Sequence, residues 1–177
     1  MTYPVFATGD VLNASDMNAV GLWLVKTQTI GSGVGSVAVT GAFSADYDNY
    51  KIIVTGGAGS TATAMKMHLG SATTADYYGF MTYGSYTGTT VSGINDNNAA
   101  AFTYAGGFDT NSIACNIDVL GPYLSEVTEI SSRVRYGTTY GNYVGVYALT
   151  TSFTGFTLTP FSGTLTGGTI RVYGYRN

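Results

Sequence analysis

Two hydrophobic periods divide the chain. From Phe6 to Val25 the apolar positions recur at helical spacing, whereas from Tyr50 onward they recur at every second residue. In the opening segment Asn13 stands where a helix cap is needed, and Asp16 follows three residues on, beside the exposed amides. Leu12 before the cap and Met17 inside the helix form a hydrophobic staple. Met17, Val20 and Leu24 then share one stripe, which Gly21 and the bulky run Leu22-Trp23-Leu24-Val25 loosen. This spacing predicts a short helix. A helix of that length is marginal alone in water, so Leu12, Met17, Val20, Trp23 and Leu24 are expected to dock on the β body, on sister copies or on a larger assembly.

Residues 26–30 have strand character, 31–36 form a glycine-rich turn and 37–40 follow, which predicts a hairpin joining the helix to the body. In the body, Tyr50, Ile52 and Val54 face one way. Met65, Met67 and Leu69 alternate with Ala64, Lys66 and His68, and Ile113, Cys115, Ile117 and Val119 alternate with polar or small residues. Ile130, Ser132, Val134 and Tyr136 share a face opposite Ser131, Arg133 and Arg135. Residues 142–149 are apolar on both faces, so a strand covered on both sides is expected there. About nine to eleven short strands separated by dense turn signals predict an all-β fold, an antiparallel β-sandwich of jelly-roll-like type preceded by a short amino-terminal helix. Residues 1–30 form the docking and oligomerisation segment, and 31–177 form the sandwich.

Composition changes this picture in two ways. Only 10% of the 177 residues are charged, against about 25% in ordinary globular proteins, so Thr, Ser, Gly, Asn and 15 Tyr supply most of the polar exterior. Such a surface suits a domain covered by neighbours or one that binds through uncharged groups. The net charge of −3 and scattered Lys and Arg argue against a nucleic-acid partner. No basic region precedes an apolar core and no run reaches the length of a membrane span, which predicts a chain folded in a cytosol with no membrane partner.

The residues offer little catalytic chemistry. His68 shares a face with Lys66 and is expected to point to solvent; Cys115 shares one with aliphatics and is expected to fill the core. No nucleophile elbow, phosphate loop or set of zinc ligands is spelled out, so neither an enzyme nor a cofactor is expected. The carboxylate pairs Asp46/Asp48 and Glu126/Glu129 are read as turn and strand-start residues rather than as catalytic or metal ligands. What remains is a concentration of rings, with Tyr83 and Tyr86 followed by a polar loop of Asn95, Asp96, Asn97 and Asn98. Flat rings and amide groups of this kind suit a sugar, and these six residues are the candidate ligand contacts. Tyrosine on strands is equally good packing and interface material.

Three stretches carry a family likeness. Phe6-Ala-Thr-Gly-Asp-Val-Leu-Asn-Ala-Ser-Asp-Met-Asn18 resembles the opening of many tailed-bacteriophage tail and fibre proteins. Asp46-Tyr-Asp-Asn-Tyr-Lys-Ile-Ile-Val54 and Gly163-Thr-Leu-Thr-Gly-Gly-Thr-Ile-Arg-Val-Tyr-Gly-Tyr-Arg176 are similar to strands of β-sandwich modules in the same class of virion proteins. The resemblance implies a non-enzymatic virion subunit, assembled in the host cytoplasm as a homotrimer. Its amino-terminal segment would dock on other phage proteins while the sandwich faces outward as a tail-fibre or receptor-binding tip, with host surface glycan as candidate ligand. A capsid decoration or head-fibre protein and a free lectin-like carbohydrate-binding module are the rival readings.

Overall fold

The computed structural model describes Thr8, Gly9, Val11 and residues 21–175. The predicted helix cap at Asn13 and the docking candidates Leu12, Met17 and Val20 lie outside the described residues. The described chain is all β. Its strands are β1 (Leu22–Thr29), β2 (Val37–Val39), β3 (Asn49–Thr55), β4 (Ala58–Gly59), β5 (Thr63–Leu69), β6 (Tyr77–Ser85) and β7 (Val91–Ala99). They continue with β8 (Phe102–Asp109), β9 (Ser112–Leu120), β10 (Thr128–Tyr136), β11 (Thr139–Tyr147), β12 (Phe156–Pro160), β13 (Leu165–Thr166) and β14 (Thr169–Tyr175).

Eight of these strands are wound as a jelly roll. Among them the first pairs with the last, β1 with β14, and the second with the seventh, β2 with β12. The third pairs with the sixth, β3 with β9, and the fourth with the fifth, β5 with β8, all antiparallel. The result is two layers, β1-β14-β3-β9 and β2-β12-β5-β8, joined at a corner where Phe108 and Asp109 pair with Ile113 and Ser112. Two further hairpins extend the first layer beyond β9, giving β1-β14-β3-β9-β10-β11-β6-β7.

The two-residue period explains the core. Tyr50, Ile52 and Val54, then Cys115, Ile117 and Val119, then Ile130 and Val134 are buried between the layers, as are Met65, Met67 and Leu69 from the facing sheet. Large rings fill the widest gaps: Tyr77 stands edge-on to Phe102 at 4.8 Å, and Phe43 packs on Tyr50 at 4.8 Å. Their hydroxyls are satisfied internally. Tyr77 donates to the Ala72 carbonyl at 2.9 Å and accepts from the Leu69 amide at 3.0 Å; burial pushes its pKa up to about 12 against the lowering effect of the Leu69 bond.

One ring needs glycine to fit. On the inner face of the extension Gly145 of β11 pairs with Gly79 of β6, and the Tyr143 ring lies over both. A Cβ at either glycine would meet the Tyr143 hydroxyl below van der Waals distance. Lying flat, that hydroxyl donates to Asp96 of β7 at 2.8 Å.

Three expectations are corrected. Leu22, Trp23, Leu24 and Val25, expected to close the helix, belong to β1, where Trp23 pairs with Gly174 and Leu24 with Tyr173. The ladder to β14 overrides the helical spacing because it satisfies the backbone of a bulky, strand-forming run. The glycine-rich turn does not close a hairpin: β1 and β2 lie in different layers, and residues 31–36 carry the chain between them. Finally, β11 is covered on one side only. Tyr143 and Tyr147 are buried, while Val144 is 55% exposed on the outer face.

Gly79→Ala should drive a methyl group into the Tyr143 hydroxyl and cost about 1–3 kcal/mol, read as a lower midpoint in chemical denaturation. An unchanged midpoint would contradict the packing described. The Cys115 thiol, wholly buried, donating to the Gly107 carbonyl at 3.3 Å and pushed by burial up to about 11, should react with a thiol reagent only after unfolding.

Candidate functional site

The outer face of the extended sheet holds a continuous trough across β9, β10, β11 and β6. Its floor is built from the residues that the alternation turns away from the core. One end is a cavity of about 390 Å³ lined by Tyr78, Phe80, Leu120, Glu129, Val144 and Val146. The middle, about 350 Å³, is lined by Lys51, Asn116, Asp118, Ser131, Arg133 and Asn142. The far end, about 590 Å³, adds Thr82, Val91, Arg135 and Tyr140. Ser131 and Val144 line both the first and the second cavity, and Arg133 and Asn142 both the second and the third. From Tyr140 to Val146 along β11 the trough runs ~20 Å at the rise of an extended strand.

Cross-strand register sets the chemistry of each segment. Ser131 pairs with Val144, and Val144 with Phe80, which makes the apolar end. One step along, Asn116 pairs with Arg133 and Arg133 with Asn142, so a guanidinium stands between two amides. Beyond it Arg135 pairs with Tyr140, whose ring takes Tyr86 edge-on at 5.9 Å. The trough therefore has aromatic platforms at both ends, Phe80 with Tyr78 and Tyr140 with Tyr86, and hydrogen-bonding groups between them.

The charges along the face are placed unequally. Lys51 donates to both oxygens of Asp118, at 2.9 and 3.1 Å, and Tyr175 donates to the same carboxylate at 2.8 Å. Burial alone would lower the Lys51 ammonium, but the bonds and charge of Asp118 outweigh it and hold it above its ordinary value. Arg135 reaches Asp109 at 3.3 Å and Ser112 at 2.9 Å, and Arg171 reaches Thr55 at 3.2 Å.

Comparison with known protein families and with curated proteins finds no match.

The sequence-predicted ligand residues do not converge. Residues 95–98, expected as a polar loop, lie inside strand β7. Asp96 points inward, accepting from Tyr143 and, at 2.9 Å, from the Thr103 amide. Asn98 takes a left-handed backbone, φ 56°, and accepts from the Tyr78 hydroxyl at 3.1 Å, while Asn95 and Asn97 are exposed on the same edge strand. Tyr83 is half-buried against the core. Of the six, Tyr86 stands against Tyr140, Asn98 is bonded to Tyr78 and Tyr83 borders the far cavity, while Asn95, Asp96 and Asn97 do not line the trough. Trp23 and Leu24 lie on β1, separated by β14 from β3, the nearest strand that lines the trough.

The trough residues were present in the pattern as its irregularities. Arg133 and Arg135 read as a solvated strand face, and the second apolar face of residues 142–149 read as covered; together they form the floor. Register between strands far apart in sequence, which periodicity does not encode, brings them side by side. Among the described residues no three His, Cys, Asp or Glu side chains come together as metal ligands.

His68, on the outward face of the smaller layer, is half-buried rather than solvated, and burial followed by the Lys66 charge lowers its pKa. The unfolded chain then binds this proton more readily than the folded one. Stability should fall as pH drops below about 6.5, the ordinary histidine value, and His68→Gln should flatten that part of the stability profile measured by denaturation at several pH values.

Proposed function

We propose that this chain is a non-enzymatic receptor-binding module of a phage particle, a tail-fibre or tip subunit whose sandwich faces outward and takes up host surface glycan in the outer trough. The observation that carries the binding reading is the trough itself: a concave strip with rings at both ends and amides, hydroxyls and charged groups between. Rings cover the apolar faces of sugar units, and amide and hydroxyl groups bond their hydroxyls. Ligand sites combine concavity, apolar lining and a few placed polar groups in the same way. The particle reading rests on the resemblance of the opening and closing segments to phage fibre proteins. In it residues before β1 serve as the anchor, and self-association as a trimer is expected.

A second reading, a structural subunit such as a capsid decoration or head fibre, is favoured by one feature. Phe80 is 49% exposed beside Tyr78, Leu120 and Val144, an apolar patch that a neighbouring subunit could cover.

A glycan array probed with the full chain tests the first reading. Binding should be weakened about five- to tenfold by Phe80→Ala or Tyr140→Ala, since a stacked ring is worth on the order of 1 kcal/mol. Binding untouched by both changes would place the ligand elsewhere. The mass of the isolated protein should be three times the 18.5 kDa chain; a monomer would remove the trimer from the proposal.

A further inference from the structure

The middle of the trough holds one cation without a counter-ion. Lys51, Arg133, Arg135 and Arg171, four of the seven Lys and Arg in a chain of net charge −3, stand on this one sheet face, with Asp118, Glu129 and, at the corner, Asp109 against them. Three of the four cations are engaged, Lys51 by Asp118, Arg135 by Asp109 and Ser112, and Arg171 by Thr55. Arg133 forms no ion pair or hydrogen bond with the described residues. It is exposed and lines both the middle and the far cavity.

One of its neighbours is also unsatisfied. Asn116, paired with Arg133 in register and lining the same cavity, has a buried Oδ1 with no hydrogen-bond partner among the described residues. A buried acceptor left without a donor is costly, and native proteins rarely keep one without a use. On the other side of Arg133, Asn142 is exposed toward the cavity. A planar guanidinium flanked by two amides is a fork for a carboxylate with hydroxyl groups on either side.

We propose that the trough recognises an acidic saccharide, a sialic or uronic acid unit, with its carboxylate on Arg133 and its neighbouring hydroxyls on Asn116 and Asn142. This rests on the reading of the trough as a glycan site and adds the class of sugar. The carboxylate would sit in the middle of the strip, so that sugar units before and after it reach the rings at each end. Uncharged glycans would leave the Arg133 guanidinium without a counter-ion and would bind more weakly.

The test uses the full chain and a panel of sialylated and uronic-acid oligosaccharides, the same oligosaccharides with their carboxylates reduced to alcohols, and neutral glycans. The acidic members should bind at least tenfold more tightly than their reduced counterparts. Arg133→Gln should abolish that preference, whereas Arg171→Gln, which removes the same charge outside the cavity, should change it less than twofold. Because Arg133 bonds to nothing inside the protein, its replacement should leave the unfolding midpoint unchanged, and this is measured alongside. Equal affinity for acidic and reduced sugars, or an acidic preference surviving in Arg133→Gln, would overturn the assignment of the carboxylate while leaving the trough as a glycan site. Binding of no member of the panel would overturn the glycan reading beneath it.

Discussion

One carboxylate ties the outermost strand of the extended sheet to the opposite layer. Asp96 lies on β7, the outermost strand, yet its Oδ2 accepts the Tyr143 hydroxyl from β11 and the Thr103 amide from β8 of the opposite layer. Hydrogen bonds to an ionised acceptor are the stronger kind, and here two donors from two layers meet on one oxygen. The Tyr143 hydroxyl, first by burial and then by the Asp96 charge, is held far above its ordinary pKa and stays a donor at any physiological pH. Gly79 and Gly145 are the condition for this contact, since only a bare backbone lets the ring lie flat enough to reach β7.

That clamp has a consequence on the far side of the sheet. The jelly roll is complete with eight strands, and β10, β11, β6 and β7 are added at its β9 edge. A strand pair at the end of a sheet, held only by its neighbour, is weakly supported. Tied to the second layer through Asp96 and Tyr143, the added strands keep one fixed surface, and their outward residues form the trough. An inward-pointing charge and the left-handed Asn98 also make β7 a poor template for pairing with another chain, so the added edge stays closed while the face stays open.

The layers of the sandwich were legible in the sequence because burial on one face imposes a period of two, and Tyr50, Ile52, Val54, Cys115, Ile117 and Val119 obey it. Where local signals competed with pairing, pairing won: Trp23 and Leu24 read as helix and fold as strand because β14 supplies a ladder for them. The polar run of residues 95–98 reads as a loop since Asn and Asp favour turns, yet an edge strand tolerates them and uses Asp96 inward. The trough was least legible. Its residues come from β3, β6, β9, β10 and β11, and each looks ordinary on its own strand. Only register shows that Arg133 stands between Asn116 and Asn142.

The most direct test of this account is hydrogen exchange on the Tyr143→Phe protein, with its glycan affinity measured in parallel. Removing the hydroxyl should raise exchange selectively in β6 and β7 and weaken binding at the trough, while β1, β14, β3 and β9 keep the protection of the unaltered protein. Unchanged protection across β6 and β7 would show that the Asp96 clamp does not hold the extension, and the link from the inner face to the trough would fail.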